Sequence, residues 1–351
     1  MTLATRLACT LALLTLATLP VAACGGASSP ATATGSGKPE KTSITVGLPV
    51  AAETLAPVYV AVDKGYFKQQ GLTVSLVTFH GGSELVKAVL GGSVDIGVTG
   101  PGDVFEAVQQ GQAMKVFYGG FDTPDYYIIA KPPIDSIAAT RGKTWGISAF
   151  GSTTDVLARY ILKRNGIPVS DVNITQTGGG ASTMAALQAD RIQVTVLQLS
   201  QALQAKDLGY NVVLPVSTLF PTFPLHAAFA MQDFLSRYPN TTTAFLRGLV
   251  KGMEETKSSP ETAAAEIVKY HVTTQKYALP TIQGTIKQLY PDGRLPDAKS
   301  MNAYWQMGIE SGIFTRRLPD SHGWMQSGSR IRAGGGRARP PRRAPERTDR
   351  L

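Results

Sequence analysis

Between residues 44 and 214 the chain runs twice through one pattern: a short apolar run, a turn, then a longer segment whose apolar residues recur at helical spacing. Strands alternating with helices in this way argue βαβ units around largely parallel sheets. In the first pass Ile44-Thr45-Val46-Gly47-Leu48 alternates like a strand and ends at a proline. Pro57 fits the first turn of a helix with Val58, Ala61 and Val62 on one face, and Gly65 fits its stop. Leu72 to Phe79 is a second strand running into Gly81-Gly82, Ser83 and Glu84 open a helix through Leu90, Val94 to Thr99 is a third strand, and Asp103 to Gln110 is helical. The second pass places strands at Lys143–Ala149, Val172–Gln176, Val194–Leu197 and Asn211–Leu214, with helices at Ser152–Asn165, Ser182–Ala189 and Leu203–Leu208. Two extended apolar segments, Tyr126–Ala130 and Leu225–Ala230, read as strands that cross between two lobes. After Met231 the chain is mostly helical: Asp233–Tyr238, Thr241–Lys257, Pro260–His271, Thr281–Leu289 and Asp297–Ile313 are expected to pack back on the first lobe.

A chain of 351 residues with 43% hydrophobic and 17% charged residues has the length for two ordinary domains and the makeup of a folded soluble protein. Its net charge of +9 raises the question of a nucleic-acid or acidic partner. The charge sits at the ends, however. From Ser327 to Leu351 there are 8 Arg against 2 acidic residues, and the first 23 residues contribute +1 from Arg6, which leaves +2 for Cys24 to Gln326. The body is therefore not read as a nucleic-acid binder. The two cysteines, Cys9 and Cys24, are both near the start, so neither a disulfide framework nor a cysteine metal site can be built in the body.

Residues 1–23 have the charge, apolar core (Leu7 to Leu19) and small-residue end (Val21-Ala22-Ala23) of an export signal. The apolar run is shorter than the ~20 residues a membrane-spanning helix needs. Leu19-Pro20-Val21-Ala22-Ala23-Cys24 resembles a bacterial lipobox, which implies cleavage before Cys24 and lipidation of that residue. The alternative is an ordinary secretory signal with an incidental cysteine. Residues 24–41, rich in Gly, Ser, Thr, Ala and Pro, read as a flexible tether. Residues 327–351 read as an Arg-rich disordered tail or as the product of an altered reading frame.

The run Gly65-Tyr66-Phe67-Lys68-Gln69-Gln70-Gly71-Leu72-Thr73-Val74 resembles the signature of ABC-transporter substrate-binding proteins of the nitrate, sulfonate and taurine type, a group that also holds the thiamine-pyrimidine binders. Val94-Asp95-Ile96-Gly97-Val98, Gln110-Gly111-Gln112, Arg141-Gly142-Lys143-Thr144-Trp145-Gly146-Ile147 with Gly151-Ser152, and Ala185-Ala186-Leu187-Gln188-Ala189 follow in the same order and at similar spacing. The resemblance covers residues 44 to 214 well and the helical end loosely. It implies an α/β, two-lobed, periplasmic-binding-protein-like fold of type II with two hinge strands and a ligand cleft between the lobes. The parts would be 42–125 (first lobe), 126–230 (second lobe with hinge strands at both ends) and 231–326 (helical return). It further implies capture of a small organic or oxyanion ligand, delivery to an ABC permease and its ATPase, no cofactor, and a lipid-anchored monomer outside the cytoplasm.

Ligands of such sheets bind at strand carboxyl ends and helix N-termini. In the second lobe this points to Gly151, Ser152, Thr153 and Thr154, where an anionic head group would suit the helix end; Ser152 with Asp155 also matches a capping box, so its hydroxyl could instead serve its own helix. In the first lobe it points to Leu55, Gly82, Thr99 and Gly100. Asp122 and Asp125 flank a proline at the first crossing and would either select an amine or amidine or form a solvated turn. Gln198 and His226 complete the candidates, His226 with a structural hydrogen-bonding role as its alternative. No Arg or Lys falls in these loops, which weighs against an anion held by charge. There is no G-x-S-x-G, H-E-x-x-H or Walker A motif, and the four His at 80, 226, 271 and 322 have no metal-ligand spacing. The readings kept beside import are an extracytoplasmic sensor or scaffold subunit and, least favoured, an enzyme of the pyrimidine-synthesising kind on the same fold. The pyridoxal cofactor of those enzymes is cytoplasmic, against the export signal.

Overall fold

The computed structural model describes residues 37–121, 124–220, 223–291 and 298–317. The residues read as an export signal and as a lipobox with Cys24, most of those read as a tether, Asp122 and the Arg-rich end lie outside the described residues.

Along the chain come β1 (Ser43–Leu48), α1 (Ala56–Asp63), α2 (Tyr66–Gln69), β2 (Thr73–Thr78), α3 (Gly82–Leu90), β3 (Ile96–Thr99), α4 (Pro101–Gln109) and β4 (Met114–Phe121). They are followed by β5 (Tyr126–Ala130), β6 (Thr144–Ile147), α5 (Thr153–Arg164), β7 (Asn173–Gln176), α6 (Gly180–Gln188), β8 (Val194–Gln198), α7 (Leu199–Asp207) and β9 (Asn211–Pro215). The chain then forms β10 (His226–Met231), α8 (Gln232–Arg237), α9 (Pro239–Ser258), α10 (Pro260–Lys269), α11 (Gln275–Thr285) and α12 (Ala298–Glu310). Two starts differ from the periodicity reading by four residues or more. Helix α11 opens before Pro280 and carries that proline inside it. Helix α7 opens at Leu199, directly after β8, because its first-turn donors are met by carboxylates from elsewhere in the fold rather than by a local cap.

Each lobe is built on a five-stranded sheet, and the two share one plan. The orders are β2-β1-β3-β10-β4 and β7-β6-β8-β5-β9. In the first, β1 runs parallel to β2 and β3 while β10 lies antiparallel to β3 and β4. In the second, β6 runs parallel to β7 and β8 while β5 lies antiparallel to β8 and β9. In each sheet the antiparallel strand is the one that has just arrived from the other lobe. The strands expected to cross between lobes thus pair within one sheet each, Tyr126 to Ala130 against Gln198 to Val194 and Ala227 to Phe229 against Thr99 to Gly97. Ladders on both sides within one sheet satisfy their backbone groups, so the crossings fall between Phe121 and Tyr126 and between Pro215 and His226.

Only part of the helical return packs on the first lobe: α9 and α10 lie against α1, whereas α11 lies against α7 and α12 against α5 of the second lobe. Helix α9 lies so close to α1 that a Cβ on Gly252 would stand 2.2 Å from the Pro57 carbonyl oxygen, an approach only glycine allows. The core is continuous, from Val46, Phe67, Phe105 and Phe229 in the first lobe to Trp145 and Leu157 in the second. A smaller apolar cluster around Ile129, Leu187 and Ala205 lies under α6 and α7.

The tether ends earlier than the composition suggested. Glu40 accepts the N–H groups of Asn240 and Thr241 at 3.0 and 2.9 Å, and so covers the N-terminus of α9. Burial alone would raise its pKa, but these donors outweigh it and hold the carboxyl below its ordinary value. Lys41 bonds Thr241 Oγ1 through its N–H and Asp95 through its ammonium.

Candidate functional site

In an open α/β sheet the ligand crevice forms at the carboxyl ends of the strands, where the strand order reverses. In the first sheet that point lies between β1 and β3, in the second between β6 and β8. The two points face one another across a cavity of about 50 Å³, room for roughly four waters in this closed arrangement at the volume one water needs. Its walls come from the end of β1 (Pro49, Val50, Ala51), the start of α3 (Gly81, Gly82), the turn from β3 into α4 (Thr99, Gly100, Asp103), Tyr126 and His226. The second lobe supplies Ser148, Ser152, Thr153 and Thr154 at the start of α5, Gly178 to Gly180 and Thr183 at the start of α6, and Val196 to Gln198 with Gln201.

Of the residues expected at a cleft, Gly82, Thr99, Gly100, Ser152, Thr153, Thr154, Gln198 and His226 line this one cavity. Leu55 does not. It is buried beside a separate space of about 20 Å³, with Val58, Leu249 and Met253, because α1 turns its apolar first turn inward to α9. Gly151 does not line the cavity either. Its N–H is taken by Asp155 Oδ2 at 3.0 Å, and it faces Glu106 of the first lobe. Asp125 is no solvated turn: it is 3% exposed.

The capping-box expectation for Ser152 is corrected. Its hydroxyl makes no cap bond. It forms a triangle with Ser148 and Thr154, every edge 2.9 Å, and Thr154 also accepts the Ser148 N–H. This ring of hydroxyls fixes the floor of the second lobe and leaves the first-turn N–H groups of α5 without a side-chain acceptor at the N-cap. The same is true of α3, α4 and α6, whose N-caps are Gly81, Gly100 and Gly179. Three of these four helices carry an acid in their first turn (Glu84, Asp103, Asp155), which offsets the positive end; α6 carries none.

Contact across the lobes is close. A Cβ on Gly100 would stand 2.4 Å from Thr153 Oγ1, so only glycine lets α4 and α5 meet end to end. The Gln198 amide donates to Thr54 Oγ1 at 3.1 Å, and Thr54 Oγ1 lies 2.7 Å from His226 Nε2. Desolvation drives His226 down to about 4, so the ring is uncharged at neutral pH. Glu53 Oε1 accepts the Ser200 N–H at 2.7 Å and Oε2 the Ser200 hydroxyl at 2.9 Å. The neighbouring Leu199 N–H is bonded by Asp125. Glu53 and Asp125 thus hold the first two residues of α7. Burial, with Glu53's charge added, pushes the Asp125 carboxyl well above its ordinary range.

Asp103 is the charged residue of the lining. It is 4% exposed; its Oδ2 accepts the Thr99 hydroxyl at 2.8 Å, and its Oδ1 has no partner among the described residues. Burial pushes its carboxyl up to about 7. Sequence reading missed it, as it missed Tyr126, Thr183 and Gln201. Asp103 read as an ordinary first-turn acid, and the signal available for α6 was the run Gly178-Gly179-Gly180 at the end of β7. Among the described residues no three His, Cys, Asp or Glu gather as a metal site.

Known proteins share this architecture. A structure from Bordetella bronchiseptica RB50 superposes with a TM-score of 0.74 at 22% identity, covering 84% of this chain and 98% of that one. The alkanesulfonate-binding protein SsuA from Xanthomonas axonopodis pv. citri, bound to MOPS, superposes with a TM-score of 0.67 at 14% identity, covering 82% of this chain and 99% of that one. At such identities the likeness is one of fold, and the fold is the two-lobed α/β arrangement of periplasmic binding proteins. In sequence, YtlA of Bacillus subtilis (strain 168) is 24% identical over 207 residues, 57% of this chain and 61% of that protein's length. The NMT1/THI5-like family model matches residues 53–263, more than half of the chain and most of the cavity wall, and the chain belongs to that family.

Proposed function

We propose that this chain is an extracytoplasmic, lipid-anchored solute-binding protein that captures one small polar molecule between its lobes and presents it to the permease of an ABC importer. The observation that carries this reading is the cavity enclosed by the two facing switch points, walled by hydroxyls, amides and helix ends from both lobes. A site shared between lobes couples occupancy to closure, and closure is what a permease can read. Binding without chemistry fits the side chains present. His226 is uncharged and engaged by Thr54, and the hydroxyls at the start of α5 bond one another rather than a base. The protein acts as a monomer, with no nucleic-acid partner and no cofactor.

The test is a melting screen of the mature chain against sulfonates, nitrate, carboxylates, amines and pyrimidines. A binder at 100 times its Kd should add ~2.7 kcal/mol of stability. No shift with any of them, together with turnover of one, would overturn the proposal. The anchor is checked separately. Cys24→Ser should move the protein from membrane to soluble fractions, because a single residual contact does not replace two acyl chains. A variant that stays with the membrane would show that Cys24 is not the anchor.

A further inference from the structure

We propose that the cleft selects a ligand bearing an ammonium or amidinium group, which docks on the carboxylate of Asp103. This rests on the solute-binding reading and narrows it to a chemical class. Asp103 lines the cavity; its Oδ1 is buried and lacks a partner among the described residues, while Oδ2 is already held by Thr99. A buried acceptor left open is costly unless something fills it. No Lys or Arg is among the residues lining the cavity. An oxyanion here would meet a carboxylate with no basic side chain to offset it, and the helix ends facing it, α6 excepted, are already balanced by their own acids. A cationic N–H donor reverses every one of these terms. It satisfies Oδ1 by a charge-assisted bond and lies in a lining that includes the ring of Tyr126.

Such a ligand also accounts for the state of the acid. The groups acting on Asp103 are the Thr99 hydroxyl, the half-buried Glu106 on its own helix, and the phenols of Tyr126 and Tyr304. None is cationic, so burial dominates and lifts the carboxyl up to about 7. A docked cation draws it back to the ionised form.

The experiment compares acetamidinium with acetate, two planar ions with the same heavy-atom skeleton and opposite charge, by titration calorimetry on the mature protein at pH 8 and constant ionic strength. Acetamidinium should bind about tenfold or more tightly than acetate, as expected for one charge-assisted hydrogen bond. Its affinity should fall as the pH is lowered from 8 to 6. Asp103→Asn should abolish both the preference and the pH dependence, whereas Glu106→Gln should keep them. Equal or tighter binding of acetate or nitrate, no binding of acetamidinium, or undiminished acetamidinium binding in Asp103→Asn would overturn the proposal. The wild-type comparison stands even if the variant does not fold. If an anion or a neutral compound in the melting screen stabilises the protein and no amine or amidine does, the ligand class falls while the solute-binding reading survives; if nothing does, both fall.

Discussion

Glu53→Ala should loosen the closed form by about 2–4 kcal/mol, because it strips two buried donors of their acceptor. Those donors are the N–H and hydroxyl of Ser200 at the start of α7, in the opposite lobe. In the open form water serves them, so the loss falls on closure rather than on the fold of either lobe. Ligand affinity should then drop roughly 30- to 700-fold. Small-angle scattering should show a larger radius of gyration than wild type, and thermal unfolding should change little. Glu53→Gln keeps one acceptor for Ser200 and should lie between the two. An alanine variant with wild-type affinity and scattering would show that this contact does not hold the lobes together.

Asp103→Asn should be more stable than wild type at alkaline pH, by about 2–4 kcal/mol at pH 8, and should lose that advantage near pH 4. The folded carboxyl titrates at about 7, above the ordinary value of 3.8. A raised acid contributes stability that is complete below the unfolded pKa and is lost as pH rises through the folded one. The window therefore runs from about pH 4 to 7. His226 acts in the opposite sense, since its depressed pKa costs stability as pH falls from 6.5 toward about 4. Both proteins carry His226, so the difference between them isolates Asp103. Urea midpoints measured at pH 4.5 and 8 provide the check, and parallel profiles would refute the assignment. A stabilising substitution that also destroys binding is the signature of a residue kept for function at the expense of stability.

The alternation of strands and helices was legible because periodicity is a local property, and boundaries such as Asn211 for β9 or Pro260 for α10 fall where it placed them. The cleft loops were legible for a related reason: strand ends such as Thr99 and Gln198 must lie at the edge of a parallel sheet. What sequence could not show is which partner a polar group chooses in space. Ser152 carries a local capping pattern, yet its hydroxyl bonds Ser148 and Thr154. Leu55 opens a helix beside the cleft, but its side chain faces α9's side of the sheet. Asp103 has the bland sequence of a first-turn acid, and only the packing of Thr99, Gly82 and Tyr304 around it makes it a buried one. Glu40 sat in a stretch that looks like linker, and its partners are two hundred residues away.

The strand order of the first lobe also governs when that lobe can form. Strand β10 lies between β3 and β4, so these two have no ladder with one another. Everything from β5 to β9 is threaded through before the missing strand is made. A chain emerging N-terminus first can complete the second sheet as an unbroken stretch, but the first sheet stays split until residue 231 has arrived. Its halves must then be joined across a loop of roughly a hundred residues, the kind of distant closure that slows folding. The lobe that begins the chain is therefore the later one to close, kept open by its own topology while the other completes.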